Sequence, residues 1–158
     1  MIVQKILHTE GDTLRLGASL APSLRPGTKI YLRGDLGAGK TTLVRGLLRA
    51  LGHEGPVKSP TYTLVELYEL SRLHLHHFDF YRLSHSEEWD NAGFREIFGS
   101  DSICLVEWPE KAGPSLPLPD LLIHLDHTSN GRAVTLSALT PAGLSLLQQS
   151  SSGAGSQH

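Results

Sequence analysis

The sequence predicts an α/β fold of three layers, with helices on both faces of a mixed parallel/antiparallel central sheet. Three observations carry that expectation. A glycine-rich stretch, Gly34-Asp35-Leu36-Gly37-Ala38-Gly39-Lys40-Thr41, lies between a short alternating strand pattern and an amphipathic helix pattern. The run Ile103-Cys104-Leu105-Val106 is apolar on both faces, as a central parallel strand covered on both sides would be. Two pairs of strand-forming stretches, 61–68 with 73–80 and 121–125 with 133–137, have short links and should form antiparallel hairpins. With 158 residues the chain suits a single domain, placed at 1–148. The tail 149–158 is mostly Ser, Gly and Gln and is expected to be disordered.

Taken in order, residues 2–7 read as a first strand. Thr9 can cap a following helix, with Asp12 three residues on suiting its positive end, and the helix should run to about Ala21, where Pro22 falls. Lys29 to Arg33 is a strand launched from the turn residues Pro26-Gly27. Beyond the glycine stretch, Leu43, Val44, Leu47, Leu48 and Leu51 form an apolar stripe on a helix that stops at Gly52. Gly46 inside this helix costs about 1 kcal/mol relative to alanine, which places it where the helix presses on a neighbour. Residues 53–60 contain two prolines and no periodicity, the mark of a loop. Ser84-His85-Ser86-Glu87 resembles a capping box opening a short helix through Trp89, and a second short helix is expected over Phe94 to Phe98. Pro109, Pro114, Pro117 and Pro119 crowd a connecting segment. The second hairpin turns near Asn130-Gly131, and Thr140-Pro141 begins a last short helix containing Leu144, Leu146 and Leu147. There is no internal repeat.

The glycine stretch matches the phosphate-binding pattern of glycine, four residues, glycine, lysine and a hydroxyl residue, in its required setting between strand and helix. The expectation becomes a P-loop NTPase-like fold that binds a nucleotide. Backbone N–H groups of Asp35, Leu36, Gly37, Ala38, Gly39, Lys40, Thr41 and Thr42 would cradle phosphates at the positive end of the helix. Lys40 supplies a point charge for the outer phosphates, and the Thr41 hydroxyl suits a magnesium ion. Hydrolysis also needs carboxylates at neighbouring strand ends. Asp79, near the end of the strand 73–80, is assigned to magnesium, directly or through water. Glu107, directly after the apolar run, ligates the metal or positions the attacking water, and both readings stay open.

Other features bound the function. Net charge is −2 and the 14 Lys and Arg residues are scattered, so composition does not indicate direct nucleic-acid binding; action on RNA would need another protein to hold it. No run of eighteen apolar residues and no signal-like N-terminus are present, so a cytoplasmic protein without membrane attachment is expected. Cys104, the single cysteine, has no internal disulfide partner and should be buried and inert. His74, His76 and His77 are read as strand-face or packing residues rather than a metal site, since a closed site needs about four ligands. His77, two residues before Asp79, suits orienting that carboxylate. Aromatic residues are usually core, but Trp108 beside the nucleotide edge suits covering the site or meeting a partner; Tyr62 falls at the start of the hairpin, and the loop 55–60 has the character of a switch segment.

Four separated motifs resemble one family: Gly34 to Thr42, Ser59-Pro60-Thr61-Tyr62-Thr63, His77-Phe78-Asp79-Phe80-Tyr81-Arg82-Leu83 and Val106-Glu107-Trp108-Pro109-Glu110-Lys111. The chain is similar in these to TsaE (YjeE), the ATPase component of bacterial tRNA threonylcarbamoyladenosine synthesis. The resemblance implies an ATP- and Mg2+-dependent ATPase with Lys40, Asp79 and Glu107 as catalytic residues. It implies magnesium held by Thr41 and Glu107 with Asp79 assisting, and nucleotide contacts from Thr9 and Arg132. It implies TsaB and TsaD as partners, tRNA met only through that complex, and ATP turnover that supports repeated threonylcarbamoyl transfer to adenosine 37 of tRNAs reading codons that begin with A. No arginine finger is evident in cis, so turnover alone should be slow. Two other readings use the same loop: a P-loop kinase with Asp79 as base, and a non-hydrolysing nucleotide-gated binding module.

Overall fold

The fold is described from a computed structural model covering the backbone of residues 1–155 and the side chains of 1–148. Strand β1 (Ile2–Leu7) leads into helix α1 (Glu10–Leu20) through a reciprocal cap. Thr9 Oγ1 accepts from Asp12 N at 3.0 Å while the Asp12 carboxylate accepts from Thr9 N at 3.2 Å, satisfying donors that the helix start leaves unpaired. A 3-10 turn at Ala21–Ser23 takes over where Pro22 has no N–H to continue the helix. Then follow β2 (Lys29–Arg33), α2 (Lys40–Ala50), the hairpin β3 (Val65–Glu69) and β4 (His74–Asp79), and the short helices α3 (Glu88–Asn91) and α4 (Arg95–Phe98). β5 (Ile103–Glu107), the hairpin β6 (Leu121–Thr128) and β7 (Gly131–Ala138), and α5 (Pro141–Gly155) complete the chain.

One seven-stranded sheet has the order β1-β7-β6-β2-β5-β4-β3. β6, β2, β5 and β4 run parallel at its centre, with antiparallel pairs at both edges. Side chains alternate between two cores. Ile30, Leu32, Ile103 and Leu105 join Leu16, Leu20, Leu43 and Leu47 on the face covered by α1 and α2. Tyr31, Cys104, Val106 and Phe78 face the other way, against Trp89 and Phe98. Gly46 lies where its helix meets α1: a Cβ there would stand 2.1 Å from Leu14 O, and one on Gly17 would stand 2.0 Å from Leu43 O.

Local departures from expectation have local causes. β3 starts at Val65, not Thr61, because residues 61–63 form a turn closed by Leu64 N donating to Pro60 O at 2.7 Å, with Leu64 at φ 69. The capping box at Ser84 to Glu87 does not form. Glu88 accepts instead, from Ser84 N at 3.0 Å and His85 N at 2.7 Å. α5 is longer than the expected short helix and runs to Gly155; the expected tail 149–158 extends past it to residues 156–158, which lie outside the described residues. Docking of Leu146 and Leu147 into the core nucleates the helix, and adding turns to a formed helix costs little.

Candidate nucleotide-binding and catalytic site

The parallel strands all end on one rim, and their register sets the site. Asp79 on β4 pairs with Glu107 on β5, which pairs with Leu32 on β2, one residue before Arg33 and the glycine loop. Two carboxylates from different strands therefore meet the loop at the same level. The loop bends through Gly37 at φ 78 and Gly39 at φ 107, a left-handed conformation that costs a glycine nothing. Gly39 precedes the first turn of α2, so Lys40 and Thr41 sit at its positive end.

Lys40 is buried, and its Nζ donates to Gly34 O and, at 3.2 Å, to Asp35 O. It also lies 4.3 Å from the centroid of the Trp108 ring. Desolvation lowers the pKa of this ammonium, while Glu107, Asp79, Glu110 and Asp35 act to raise it. Thr41 Oγ1 donates to Glu107 Oε2 at 3.1 Å, and His77 Nε2 lies 2.6 Å from the same oxygen. Asp79 is held from three sides: Oδ2 accepts from Ser59 Oγ at 2.8 Å and Thr61 Oγ1 at 2.9 Å, and Oδ1 accepts from Tyr81 N at 2.9 Å. Residues Leu36 to Thr42, Ser59, Thr61, both acids and Trp108 line a cleft of about 340 Å³, with His77 behind it.

Thr9 and Arg132 lie elsewhere, in a second cavity of about 180 Å³ on the far side of the loop, with Thr13, Gly39 and Thr42. Arg132 reaches the loop itself, donating from Nε to Ala38 O at 3.0 Å and from Nη2 to Gly37 O at 3.1 Å. The geometry thus gathers Lys40, Thr41, Asp79 and Glu107 in one place, and Thr9 and Arg132 in another that shares the loop as a wall.

The expectation that His77 orients Asp79 is corrected: its partner is Glu107, one diagonal step away on the neighbouring strand. His74 is exposed at the other end of β4, and His76 bonds to Ser102 Oγ. Sequence reasoning also left the Ser59 and Thr61 hydroxyls without a role, although two hydroxyls flanking Pro60 in a glycine-proline loop were the available signal. Among the described residues, no cluster of three or more His, Cys, Asp or Glu side chains is placed to hold a metal. A hydroxyl and two carboxylates is nevertheless a fitting donor set for Mg2+, which takes hard oxygen ligands and keeps much of its water.

The profile of the family described as threonylcarbamoyl adenosine biosynthesis protein TsaE matches residues 7–134. The chain belongs to the TsaE family. It is 46% identical over 143 residues to the tRNA threonylcarbamoyladenosine biosynthesis protein TsaE of Haemophilus influenzae, covering 87% of this chain and 90% of that protein. The TsaE of Bacillus subtilis is 35% identical over 129 residues, covering 81% and 80% of the two chains. The fold superposes on the crystal structure of Bacillus subtilis YdiB with a TM-score of 0.82 at 28% identity, over 96% of this chain and 95% of that one. As a TsaE family member, the chain carries the P-loop-like α/β fold with the mixed sheet seen here. No helix among its described residues is long and apolar enough to cross a membrane.

Proposed function

We propose that this protein binds ATP with Mg2+ and hydrolyses it as the ATPase subunit of tRNA threonylcarbamoyladenosine synthesis. In this reading it works with TsaB and TsaD in the cytoplasm and supports repeated transfer of the threonylcarbamoyl group to adenosine 37. The observation that carries the reading is the meeting of Lys40 and Thr41 with Asp79 and Glu107 in one cleft. Relatives named for this pathway, aligned over most of the chain, point to the tRNA.

Each residue has a definite task. The loop N–H groups and the start of α2 bind phosphate oxygens, and Lys40 exchanges its own loop carbonyls for them. Thr41 and Glu107 would hold magnesium, with Asp79 assisting, directly or through water. A magnesium ion so held offsets the charge on the phosphate oxygens as a Lewis acid. Glu107, where it is not spent on the metal, positions the attacking water. Thr9 and Arg132 face the remainder of the nucleotide across the loop. Among the described residues no arginine lines the cleft, so the positive charge they supply there in cis ends with Lys40 and turnover alone is slow; a partner subunit completes the site. With a net charge of −2 the chain meets tRNA through the complex rather than directly.

The test mixes the protein with the other subunits and measures ATP hydrolysis together with multiple turnovers of tRNA modification. Lys40→Ala is expected to reduce both by about 100-fold or more, the scale seen when a charge-stabilising group is removed from an active site. Full activity of that variant in both assays would reject the proposal.

A further inference from the structure

We infer that His77 is a positioning residue for the metal: its buried Nε2–H fixes the Glu107 carboxylate so that one oxygen stays available to magnesium. The inference rests on the magnesium-binding reading above and assigns to it a residue that does not touch the cleft. His77 is fully buried, and the Glu107 side chain is 4% exposed. A carboxylate only accepts, so Nε2 is the donor in the 2.6 Å bond. Thr41 Oγ1 falls on the same oxygen, Oε2, at 3.1 Å, and reaches Oε1 only at 3.4 Å. Both good donors therefore load one oxygen of Glu107. The other keeps its lone pairs.

The placement follows from the register. His77 pairs with Leu105 on β5, two residues before Glu107 on the same face, a diagonal that a side chain of imidazole length can span. A packing role alone does not account for a histidine here. Its Nδ1 is buried with no hydrogen-bond partner among the described side chains, and an unsatisfied buried nitrogen destabilises the fold relative to a leucine of similar volume. What the imidazole gives in exchange is the bond to Glu107. Groups that orient a metal ligand from behind typically change metal affinity or activity by about 10–100-fold when removed.

The experiment measures Mn2+ affinity by EPR titration of the ADP-bound protein, and ADP affinity by calorimetry with Mg2+ and with EDTA. His77→Leu removes the donor at nearly constant volume, His77→Gln restores an N–H at similar reach, and His77→Asn offers one that is too short. Expected are a loss of about tenfold or more in Mn2+ affinity for His77→Leu and His77→Asn, unchanged ADP affinity in EDTA, and recovery in His77→Gln. Should His77→Leu fail to fold, the Gln and Asn pair carries the same comparison between two polar variants. Wild-type Mn2+ affinity in folded His77→Leu or His77→Asn, or equal loss in Gln and Asn, overturns the inference while leaving the magnesium reading intact. Absence of any metal-dependent gain in the wild-type protein overturns the magnesium reading itself, and the role of His77 with it.

Discussion

Cys104 shows how a single buried group ties stability to pH. Its thiol is sealed inside β5, 3.9 Å from Ile97 O and Ser102 O, and burial pushes its pKa from 9.0 up to about 12. The native chain keeps a proton that the unfolded chain loses, so this contribution is complete below about pH 9 and is lost as pH rises toward the folded value. The slope is roughly 1.4 kcal/mol per pH unit. Urea unfolding at about pH 8 and about pH 10 should therefore show wild type losing roughly 1 kcal/mol more than Cys104→Ala, other alkaline groups cancelling in the comparison. Equal losses would mean that the thiol ionises without unfolding. At the site, Lys40 and Thr41 were legible because their motif is contiguous, and Asp79 and Glu107 because each closes a strand-forming run. The bond from His77 to Glu107 was not: it depends on β4 lying beside β5 in one register, and periodicity says which residues share a face but not which strand is the neighbour. Arg132 was legible only by resemblance, since its contact with Gly37 O and Ala38 O spans 94 to 95 positions of sequence. Arg132→Ala should weaken nucleotide binding about tenfold in a calorimetric titration with the fold intact, as loss of a charge-assisted pair of bonds implies.

At the scale of elements, the pairing of α1 with α2 decides whether the loop is held rigidly. The two helices approach so closely that Gly17 and Gly46 leave no room for a Cβ, the obstructing atoms being backbone carbonyls rather than movable side chains. Alanine would raise intrinsic helix propensity by about 1 kcal/mol, yet with backbone atoms in the way the forced separation falls at the upper end of overpacking costs, about 3 kcal/mol, and the second term wins. Gly46→Ala should thus lower unfolding free energy by about 2 kcal/mol, measured as a shifted urea midpoint at constant m. An increase in stability would show that the helices slide apart freely. The glycine's role could be anticipated because a helix tolerates that residue only for a reason. The true start of β3 could not, because the Ser59 and Thr61 hydroxyls that pull 61–63 out of the strand bond to Asp79, some twenty residues on. The length of α5 was equally hidden, since Ser- and Gly-rich composition predicts weak propensity while helix growth from a docked segment is decided by packing.

For the whole molecule, the strand order β6-β2-β5-β4 is what makes one site out of distant pieces. Four parallel strands end on a common rim, so the loop after β2, Glu107 of β5, Asp79 of β4 and, through Asp79, the segment 59–61 all face one cleft, with Arg132 of β7 bracing the loop from behind. A ligand that engages them together binds the folded chain and not the unfolded one. It must stabilise the entire cooperative unit by RT ln(1 + [L]/Kd), about 2.7 kcal/mol at a hundredfold excess over Kd. For a chain of this size each kcal/mol moves the midpoint by about 2–4 °C, so saturating ADP with Mg2+ should raise it by roughly 5–10 °C. Lys40→Ala should abolish most of that shift, whereas Cys104→Ala, remote from the cleft, should leave it in place. Hydrogen exchange adds the spatial test. Protection should spread on binding to the loop 34–39 and, because Asp79 ties it to the cleft, to residues 59–64, but not to β1 at the far edge of the sheet. Protection confined to the loop alone would show that the segment 59–64 does not respond to the ligand, and that its hydroxyls serve Asp79 without sensing what is bound.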